Sequence, residues 1–219
     1  MTQDLCALIH EKKLISIVRG APTNKIVPIA EALYHGGFRF MEITFDQIGE
    51  IPNEETAAQI RAVCEAFDGR MYVGAGTVMT KTQLKLATGA GAKFIVSPNV
   101  DASIIRDTKA AGLLSIPGAF TPTEIAAAHQ AGADFVKLFP ADCVDLRYIK
   151  AICAPLNHIP LLAVSGVTPE NFVDYLKAGM AGAGIGSVLV KKEDVSAENY
   201  GAIAERAASY VAVVSRFCT

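Results

Sequence analysis

The stretch Asp134-Phe135-Val136-Lys137-Leu138-Phe139-Pro140 is an apolar run that carries a single lysine at its centre. Short runs of β-branched and aromatic residues that end at a proline are typical of buried strands. Because side chains alternate along a strand, Lys137 shares one face with the two phenylalanines, and the valine and leucine share the other. The pattern predicts a strand buried on both faces, with one amine directed into the protein interior.

Similar apolar segments recur along the chain, separated each time by a segment of helical periodicity. Eight strands are predicted, at residues 15–20, 38–45, 71–75, 94–97, 113–116, 135–139, 161–164 and 182–185. Strict alternation of apolar strands and helices indicates a parallel sheet covered by helices. Eight such units predict an α/β fold, a single closed (β/α)8 barrel of the TIM type.

The domain count follows from the same pattern. A short helix is predicted over residues 2–13 and a long last helix over residues 197–215, and no linker or low-complexity tract interrupts the alternation. One domain is therefore predicted for residues 1–219. The alternative is a doubly wound open sheet, but the first strand-to-helix turn, Arg19-Gly20-Ala21-Pro22, lacks the GxGxxG pattern of dinucleotide-binding folds.

The composition favours a small-molecule partner. The chain is 51% hydrophobic and 19% charged with a formal net charge of −2, which offers no basic surface for nucleic acid or for an anionic membrane. The sequence contains no secretory signal and no apolar stretch of ~18 residues, so a cytoplasmic protein is expected. The five cysteines form no CxxC pair and the four histidines form no HxH or HxxxH pair, which predicts free thiols and no metal site.

Lys137 and Glu42 suggest covalent chemistry coupled to proton transfer. Burial lowers the pKa of a lysine, and a neutral amine is the nucleophile that forms a Schiff base with a ketone. Glu42 stands alone in the apolar segment 38–45, where burial would raise its pKa and suit it to general acid–base catalysis. The alternatives are that Lys137 reaches water at the strand end, or that Glu42 forms a structural ion pair with Lys137 or Arg19.

Further polar residues follow the predicted strands, at the end where barrel enzymes build their active sites. Arg19 could bind a substrate carboxylate or phosphate, or could be held by a loop carboxylate instead. Thr77 follows a Gly-Ala-Gly turn that would admit a small ligand, although the same threonine could simply cap the next helix. Phe139 would wall the pocket or pack in the core.

Two pairs of small residues, Ser165-Gly166 and Gly186-Ser187, follow the last two predicted strands. Barrel enzymes often bind a phosphate at this place through exposed backbone N–H groups. The alternative is that both pairs are tight turns in which small residues serve packing.

Several strand motifs together resemble one known family, the bacterial 2-keto-3-deoxy-6-phosphogluconate (KDPG) and 2-keto-4-hydroxyglutarate (KHG) aldolases, which are class I lyases on a compact (β/α)8 barrel. The resemblance extends from Ile15 to about Lys191. It rests on Ile17-Val18-Arg19, Met41-Glu42-Ile43-Thr44-Phe45, Val73-Gly74-Ala75-Gly76-Thr77-Val78, Phe94-Ile95-Val96-Ser97-Pro98-Asn99, Pro117-Gly118-Ala119-Phe120-Thr121-Pro122-Thr123-Glu124 and Val136-Lys137-Leu138-Phe139-Pro140.

The resemblance implies roles for ten residues. Lys137 would be the Schiff-base lysine and Glu42 the general acid and base. The remaining eight would bind substrate: Arg19 and Thr77 at the pyruvyl group or its carboxylate, Pro98 and Phe139 along the pocket, and Ser165, Gly166, Gly186 and Ser187 at the phosphate. It also implies a homotrimer that needs no metal or organic cofactor, releases pyruvate from a 2-keto acid and serves Entner–Doudoroff carbohydrate metabolism.

Two departures from the family pattern leave the substrate open. Some members carry an arginine soon after the Glu-x-Thr strand, where this chain has Asp46-Gln47. The usual Pro-Thr-Gly-Gly appears here as Ala163-Val164-Ser165-Gly166, a form similar to that of relatives that cleave the galactonate epimer. A phosphate-binding barrel isomerase or epimerase is one alternative function, and a non-catalytic sugar-phosphate binding protein is another.

Overall fold

The structure is a computed structural model that describes the backbone of residues 2–217 and the side chains of residues 4–217. Parallel strands form one sheet in the order β5-β4-β3-β2-β1-β9-β8-β7-β6. The strands are β1 (Leu14–Val18), β2 (Phe40–Thr44), β3 (Tyr72–Gly76), β4 (Phe94–Val96), β5 (Leu114–Ile116), β6 (Gly118–Ala119), β7 (Val136–Leu138), β8 (Leu161–Val164) and β9 (Gly182–Ile185).

The two ends of the sheet are parts of one stretch of chain, divided at Pro117, and the strand predicted over residues 113–116 corresponds to the first part only. The first part, β5, pairs with β4, and the second part, β6, pairs with β7. Proline has no backbone N–H to donate to a neighbouring strand, but its carbonyl still accepts a hydrogen bond from the N–H of Lys137, at 2.9 Å. The fifth strand therefore joins both edges of the sheet, and the predicted (β/α)8 barrel is confirmed as a nearly closed TIM-type barrel.

Helices surround the sheet and occupy most of the intervals between strands. They are α1 (Thr2–Lys12), α2 (Ile26–His35), α3 (Asn53–Phe67), α4 (Lys81–Gly89), α5 (Ala102–Ala110), α6 (Pro122–Gln130), α7 (Leu146–Cys153), α8 (Phe172–Lys177), α9 (Lys192–Ser196) and α10 (Tyr200–Phe217), with 3-10 turns at Thr23–Lys25 and Ala141–Cys143. Among the described residues, no helix is both long enough and apolar enough to cross a membrane.

Both faces of the sheet are buried, as the apolar strands predict. One apolar cluster fills the barrel and includes Phe40, Phe94, Phe135 and Leu162, with Ile9 of α1 packed against it. A larger cluster lies between the strands and the outer helices. Charged residues in the strand interiors are therefore enclosed by apolar side chains.

The cysteines that the structure describes, Cys6, Cys64, Cys143 and Cys153, are free thiols, and Cys218 lies outside the described residues. No cluster of three or more His, Cys, Asp or Glu side chains suitable for a metal ion occurs in the described part of the chain.

Candidate active site

A cavity of about 670 Å³ opens where the carboxyl ends of β1, β2, β7, β8 and β9 meet. Loops after parallel strands converge at this end of a barrel, so residues distant in sequence become neighbours. Nine of the ten residues predicted to form the site line this cavity: Arg19, Thr77, Pro98, Lys137, Phe139, Ser165, Gly166, Gly186 and Ser187. Glu42, the tenth, shares the inward face of β2 with Thr44, which does line the cavity.

Lys137 occupies the middle of β7 and is only 7% exposed. Its amine lies 4.7 Å from the centroid of the Phe139 ring. Burial lowers the pKa of the Lys137 amine below its usual value, the Glu42 carboxylate opposes this by raising the pKa, and Arg19 lowers it further. The lysine therefore does not extend into bulk water, and its amine faces the cavity in surroundings that favour the neutral form.

Glu42 lies in the middle of β2 and is 2% exposed. Burial raises the pKa of the Glu42 carboxyl, while Lys137 and Arg19 act in the opposite direction. Among the described residues, Glu42 forms no ion pair with either cation, so the alternative of a direct structural ion pair is not what the structure contains. Amine and carboxyl therefore affect each other's ionisation without a direct ion pair.

A glycine makes room for the Glu42 side chain. Residue 76 on the neighbouring strand β3 pairs with Thr44, and a Cβ built on Gly76 would lie 1.8 Å from Oε1 of Glu42. No side chain other than hydrogen fits there without moving the carboxylate. The Gly-Ala-Gly turn read from the sequence therefore accommodates the Glu42 carboxyl as well as leading to Thr77.

Arg19 and Thr77 contact each other across the end of the intervening strand β2. The Nη2 of Arg19 donates a hydrogen bond to Oγ1 of Thr77 at 3.4 Å. The cap of helix α4 is Thr80, whose side chain accepts from the Gln83 N–H, so Thr77 does not have the capping role considered as its alternative. Thr77 has φ +56°, a left-handed conformation that is uncommon for a β-branched residue and occurs at ligand sites.

The loop after β2 is organised by Asp46, near the position where some relatives have an arginine. Its carboxylate accepts hydrogen bonds from the N–H groups of Ile48, Glu50 and Ile51, which lower its pKa. The side chain of Gln47 donates to the Thr77 carbonyl at 2.9 Å. This loop brings two acids, Asp46 and Glu50, to the cavity lining instead of a cation.

The opposite end of the cavity carries the two small-residue pairs. Ser165 and Gly166 have φ values of +85° and +70°, and the Gly166 carbonyl accepts from Nδ2 of Asn171 at 2.8 Å. Space beside Gly186 is open, because a Cβ there would meet nothing closer than 4.0 Å. Backbone and hydroxyl groups of this end can thus approach a ligand closely.

Several lining residues were not predicted from the sequence. Lys192, at the start of α9, adds a positive charge to the lining on the segment that follows Gly186-Ser187, whereas Asp46 and Glu50 add negative charge near Thr77. The pair Lys191-Lys192 after the Gly186-Ser187 turn could have indicated a cation for an anionic ligand. Thr44, noted beside Glu42 in the strand motif, also lines the cavity.

The chain matches known proteins over almost its whole length. The family model described as KDPG and KHG aldolase matches residues 5–206. The chain is 35% identical over 199 residues to the 2-dehydro-3-deoxy-6-phosphogalactonate aldolase of Escherichia coli (strain K12), covering 90% of this chain and 92% of that protein. It is 29% identical over 203 residues to the 2-dehydro-3-deoxy-phosphogluconate aldolase of Haemophilus influenzae, covering 92% of each.

The fold gives a matching result. The KDPG aldolase from Legionella pneumophila, with pyruvate captured at low pH as a covalent carbinolamine intermediate, is similar with a TM-score of 0.83 and 25% sequence identity, over 94% of this chain and 97% of that chain. The family model and the sequence relatives agree on carbon–carbon bond cleavage, and the fold is that of a solved KDPG aldolase. The chain therefore belongs to the KDPG and KHG aldolase family, and it is a carbon–carbon lyase.

Proposed function

We propose that this protein is a class I aldolase that cleaves a 6-phosphorylated 2-keto-3-deoxy sugar acid to pyruvate and glyceraldehyde 3-phosphate. The observation that carries the proposal is the pair formed by Lys137 and Glu42. Both groups are almost fully buried at one cavity, and burial shifts the pKa of each towards its uncharged form. Such a pair supplies an amine nucleophile and a proton donor in the same space.

The first half of the reaction forms the covalent link. The neutral Nζ of Lys137 attacks the C2 ketone, and Glu42 delivers a proton to the new alkoxide and takes one from the nitrogen, which leaves Glu42 protonated for the next step. The resulting carbinolamine loses water with further proton transfer by Glu42, and an iminium joins Lys137 to C2. This cation is the electron sink for the next step.

The second half breaks the carbon–carbon bond. Glu42, directly or through a water molecule, takes the proton of the C4 hydroxyl, and the C4 oxygen forms the aldehyde carbonyl. The C3–C4 bond breaks, and its electron pair moves into the C2–C3 bond to give an enamine on Lys137. Protonation at C3 regenerates the iminium, and its hydrolysis frees pyruvate and the lysine.

The ends of the cavity suit the two ends of such a substrate. Arg19 and Thr77 are donors beside the catalytic pair, as a carboxylate next to the C2 ketone requires. Gly166, Gly186 and Ser187 lie at the other end with Lys192, which supplies a cation for a phosphate dianion. This arrangement supports a phosphorylated substrate over the smaller hydroxyglutarate, whose cleavage would give pyruvate and glyoxylate.

A second candidate substrate is the galactonate epimer, which differs from KDPG at C4. Val164 lines the cavity at the end of β8, where the usual family pattern has a threonine, so this position offers no hydroxyl to the C4 oxygen. The 35% identity to a phosphogalactonate aldolase favours the same candidate.

Reductive trapping tests the covalent step. Incubation with pyruvate and borohydride should add one reduced pyruvyl group to Lys137, detected by peptide mass analysis, and Lys137→Ala should lose both the adduct and turnover while keeping its fold. Pyruvate release from the gluconate and galactonate epimers and from hydroxyglutarate, measured side by side, then ranks the substrates. Cleavage retained by Lys137→Ala would refute the Schiff-base mechanism.

The proposal includes a homotrimer, because the family resemblance implies one. Sedimentation equilibrium should then give a mass about three times the 23.1 kDa of the chain. A monomer at micromolar concentration would contradict this part of the proposal and leave the chemistry unaffected.

A further inference from the structure

The hydroxyl of Thr44 is buried at the cavity without a hydrogen-bond partner. The residue is 5% exposed, and its Oγ1 is one of two buried side-chain polar atoms that find no partner among the described residues. Leaving a buried hydroxyl unpaired costs free energy, so such atoms are rare and call for an explanation. Thr44 lines the same cavity as Lys137, which directs the explanation towards a ligand.

The sheet register places this hydroxyl in a row of donors. Thr44 pairs with Gly76, the last residue of β3, and Thr77 directly follows Gly76 in the chain. On the other side, Val18 pairs with Ile43, which puts Arg19 beside Thr44 at the next step. The hydrogen bond from Arg19 to Thr77 spans the end of β2. Thr44 is the last residue of β2, so it lies between the two residues that form this bond.

We infer that the Thr44 hydroxyl donates a hydrogen bond to the C1 carboxylate of the bound 2-keto acid, together with Arg19 and Thr77. The inference rests on the proposed aldolase function and adds a binding residue to it. The strand order groups Thr44 of β2 with Arg19 and Thr77, which follow the strands on either side of it, whereas the small-residue pairs proposed for the phosphate follow β8 and β9.

The charged residues near Thr44 leave few groups that could donate a hydrogen bond to a carboxylate. The loop after β2 brings the carboxylates of Asp46 and Glu50 to the cavity lining, and neither can donate a hydrogen bond to an anion when ionised. Arg19 is the cation of this row, and the two threonine hydroxyls complete the set of donors. A carboxylate has room for about four hydrogen bonds on its two oxygens, so three donors can be used together.

The test compares three variants with pyruvate as the probe. Thr44→Val keeps the shape and removes the hydroxyl, Thr44→Ser keeps the hydroxyl, and Thr108→Val removes the other unpartnered buried hydroxyl, which lies on α5 and does not line the cavity. The pyruvate concentration that gives half-maximal borohydride trapping should rise roughly tenfold to 100-fold in Thr44→Val, because a hydrogen bond to a charged group is lost. It should change less than about threefold in Thr44→Ser and not at all in Thr108→Val.

Thermal unfolding without pyruvate supplies a readout that separates binding from structure. Because neither hydroxyl has a partner, Thr44→Val and Thr108→Val should both unfold at the parent temperature or about 2–4 °C above it. Weaker pyruvate binding together with undiminished stability is the expected signature of a ligand-binding hydroxyl.

Three outcomes would overturn the inference. Parent-like half-saturation in Thr44→Val would mean that the hydroxyl makes no contact with the carboxylate. A lower maximal rate and altered pH profile at unchanged half-saturation would mean that it acts on Glu42 instead. Absence of trapping in the parent protein would refute the proposed aldolase mechanism itself, whereas normal parent trapping with an unaffected Thr44→Val would refute only this inference.

Discussion

The reactivity of Lys137 is set by burial and by two charged side chains that do not pair with it directly. Its pKa is lowered first by burial, raised by Glu42 and lowered by Arg19. The two neighbours therefore act in opposite directions on the same equilibrium. Since only the neutral amine attacks a carbonyl, the rate of modification should rise as pH increases through the pKa of Lys137.

Removing each neighbour should shift this pH profile in a predictable direction. Glu42→Gln removes a charge that raises the pKa of Lys137, so its profile should move to lower pH. Arg19→Met removes a charge that lowers the pKa, so its profile should move to higher pH. Reductive methylation by formaldehyde measures this without turnover, because the reagent requires neither a general acid nor a carboxylate site, and peptide mass analysis reports Lys137 alone.

Arg147→Met serves as the control, since Arg147 pairs with Asp145 on the surface away from the cavity. Its profile should coincide with that of the parent. Shifts of the same sign in Glu42→Gln and Arg19→Met would contradict the electrostatic explanation.

Lys192 should govern the preference for phosphorylated substrates. Lys192→Met removes the cation at the proposed phosphate site and should raise KM about fivefold to 20-fold for the phosphorylated sugar acid proposed as substrate, because a charge-assisted contact is lost at an exposed site. Pyruvate trapping, which involves no phosphate, should be unchanged. Steady-state kinetics and trapping measure the two quantities.

The adjacent Lys191 is the matched control, because it does not line the cavity. Lys191→Met should keep the parent KM. An equal effect of both substitutions would indicate general electrostatic attraction and not a contact at the phosphate.

A glycine of strand β3 leaves the space that the Glu42 carboxylate of strand β2 occupies. Gly76→Ala would place a methyl group 1.8 Å from Oε1 of Glu42. Because this oxygen ends a flexible side chain, the barrel should still fold, but the carboxylate must move away from its position. We expect kcat to fall by roughly 100-fold or more, in line with the contribution of general acid–base catalysis, with a circular dichroism spectrum like that of the parent.

Gly89→Ala provides the comparison, since a Cβ on this last residue of α4 would meet nothing within 4 Å. It should leave kcat unchanged and stabilise the fold by up to about 1 kcal/mol through helix propensity. Parent-like kcat in Gly76→Ala would show that the position of the Glu42 carboxylate is not critical.

Element types could be predicted from the sequence, but some boundaries could not. The helical pattern in the sequence starts at Pro169, but helix α8 begins at Phe172. The side chain of Asn171 accepts a hydrogen bond from the Thr168 N–H and donates one to the Gly166 carbonyl, which holds this segment as a turn. The last helix, predicted over residues 197–215, begins at Tyr200, because Glu198 at φ +55° separates it from α9, a short helix that was not predicted. Both differences arise from local side-chain and backbone geometry that apolar periodicity does not report.

Some residues of the site could likewise be predicted from the sequence, and others could not. Lys137 and Glu42 could be recognised because a charge within an apolar strand is conspicuous, and the barrel topology then brings both to one cavity. Lys192 and Glu50 are exposed and Asp46 is half-buried, and all three are charges in loops or at a helix start, where charge is common. Their relation to the cavity depends on how loops fold over the barrel, which the sequence pattern does not specify.

The buried amine and carboxyl that suit the site to the proposed chemistry lower the stability of the barrel as a whole. The barrel encloses an amine and a carboxyl among apolar side chains, and the pKa of each is shifted against its charged form. For Glu42 the pKa in the folded state is raised, so its cost appears as pH rises above the unfolded value of 4.5. For Lys137 the pKa is lowered, so its cost appears as pH falls below the unfolded value of 10.5. Near neutral pH both costs are present together.

Replacing both groups at once by uncharged side chains of similar shape should therefore stabilise the protein. The double variant Lys137→Met with Glu42→Gln should raise the free energy of unfolding by about 1–4 kcal/mol at pH 7, as for other buried charge pairs replaced by neutral groups. Urea denaturation at several pH values measures this gain, which should shrink as pH falls towards 4.5 or rises towards 10.5, since one cost then disappears. A single replacement is a poorer test because it leaves the other charge alone in the barrel. If the double variant is less stable than the parent at pH 7, the two groups hold the barrel together, and their burial cannot be attributed to catalysis.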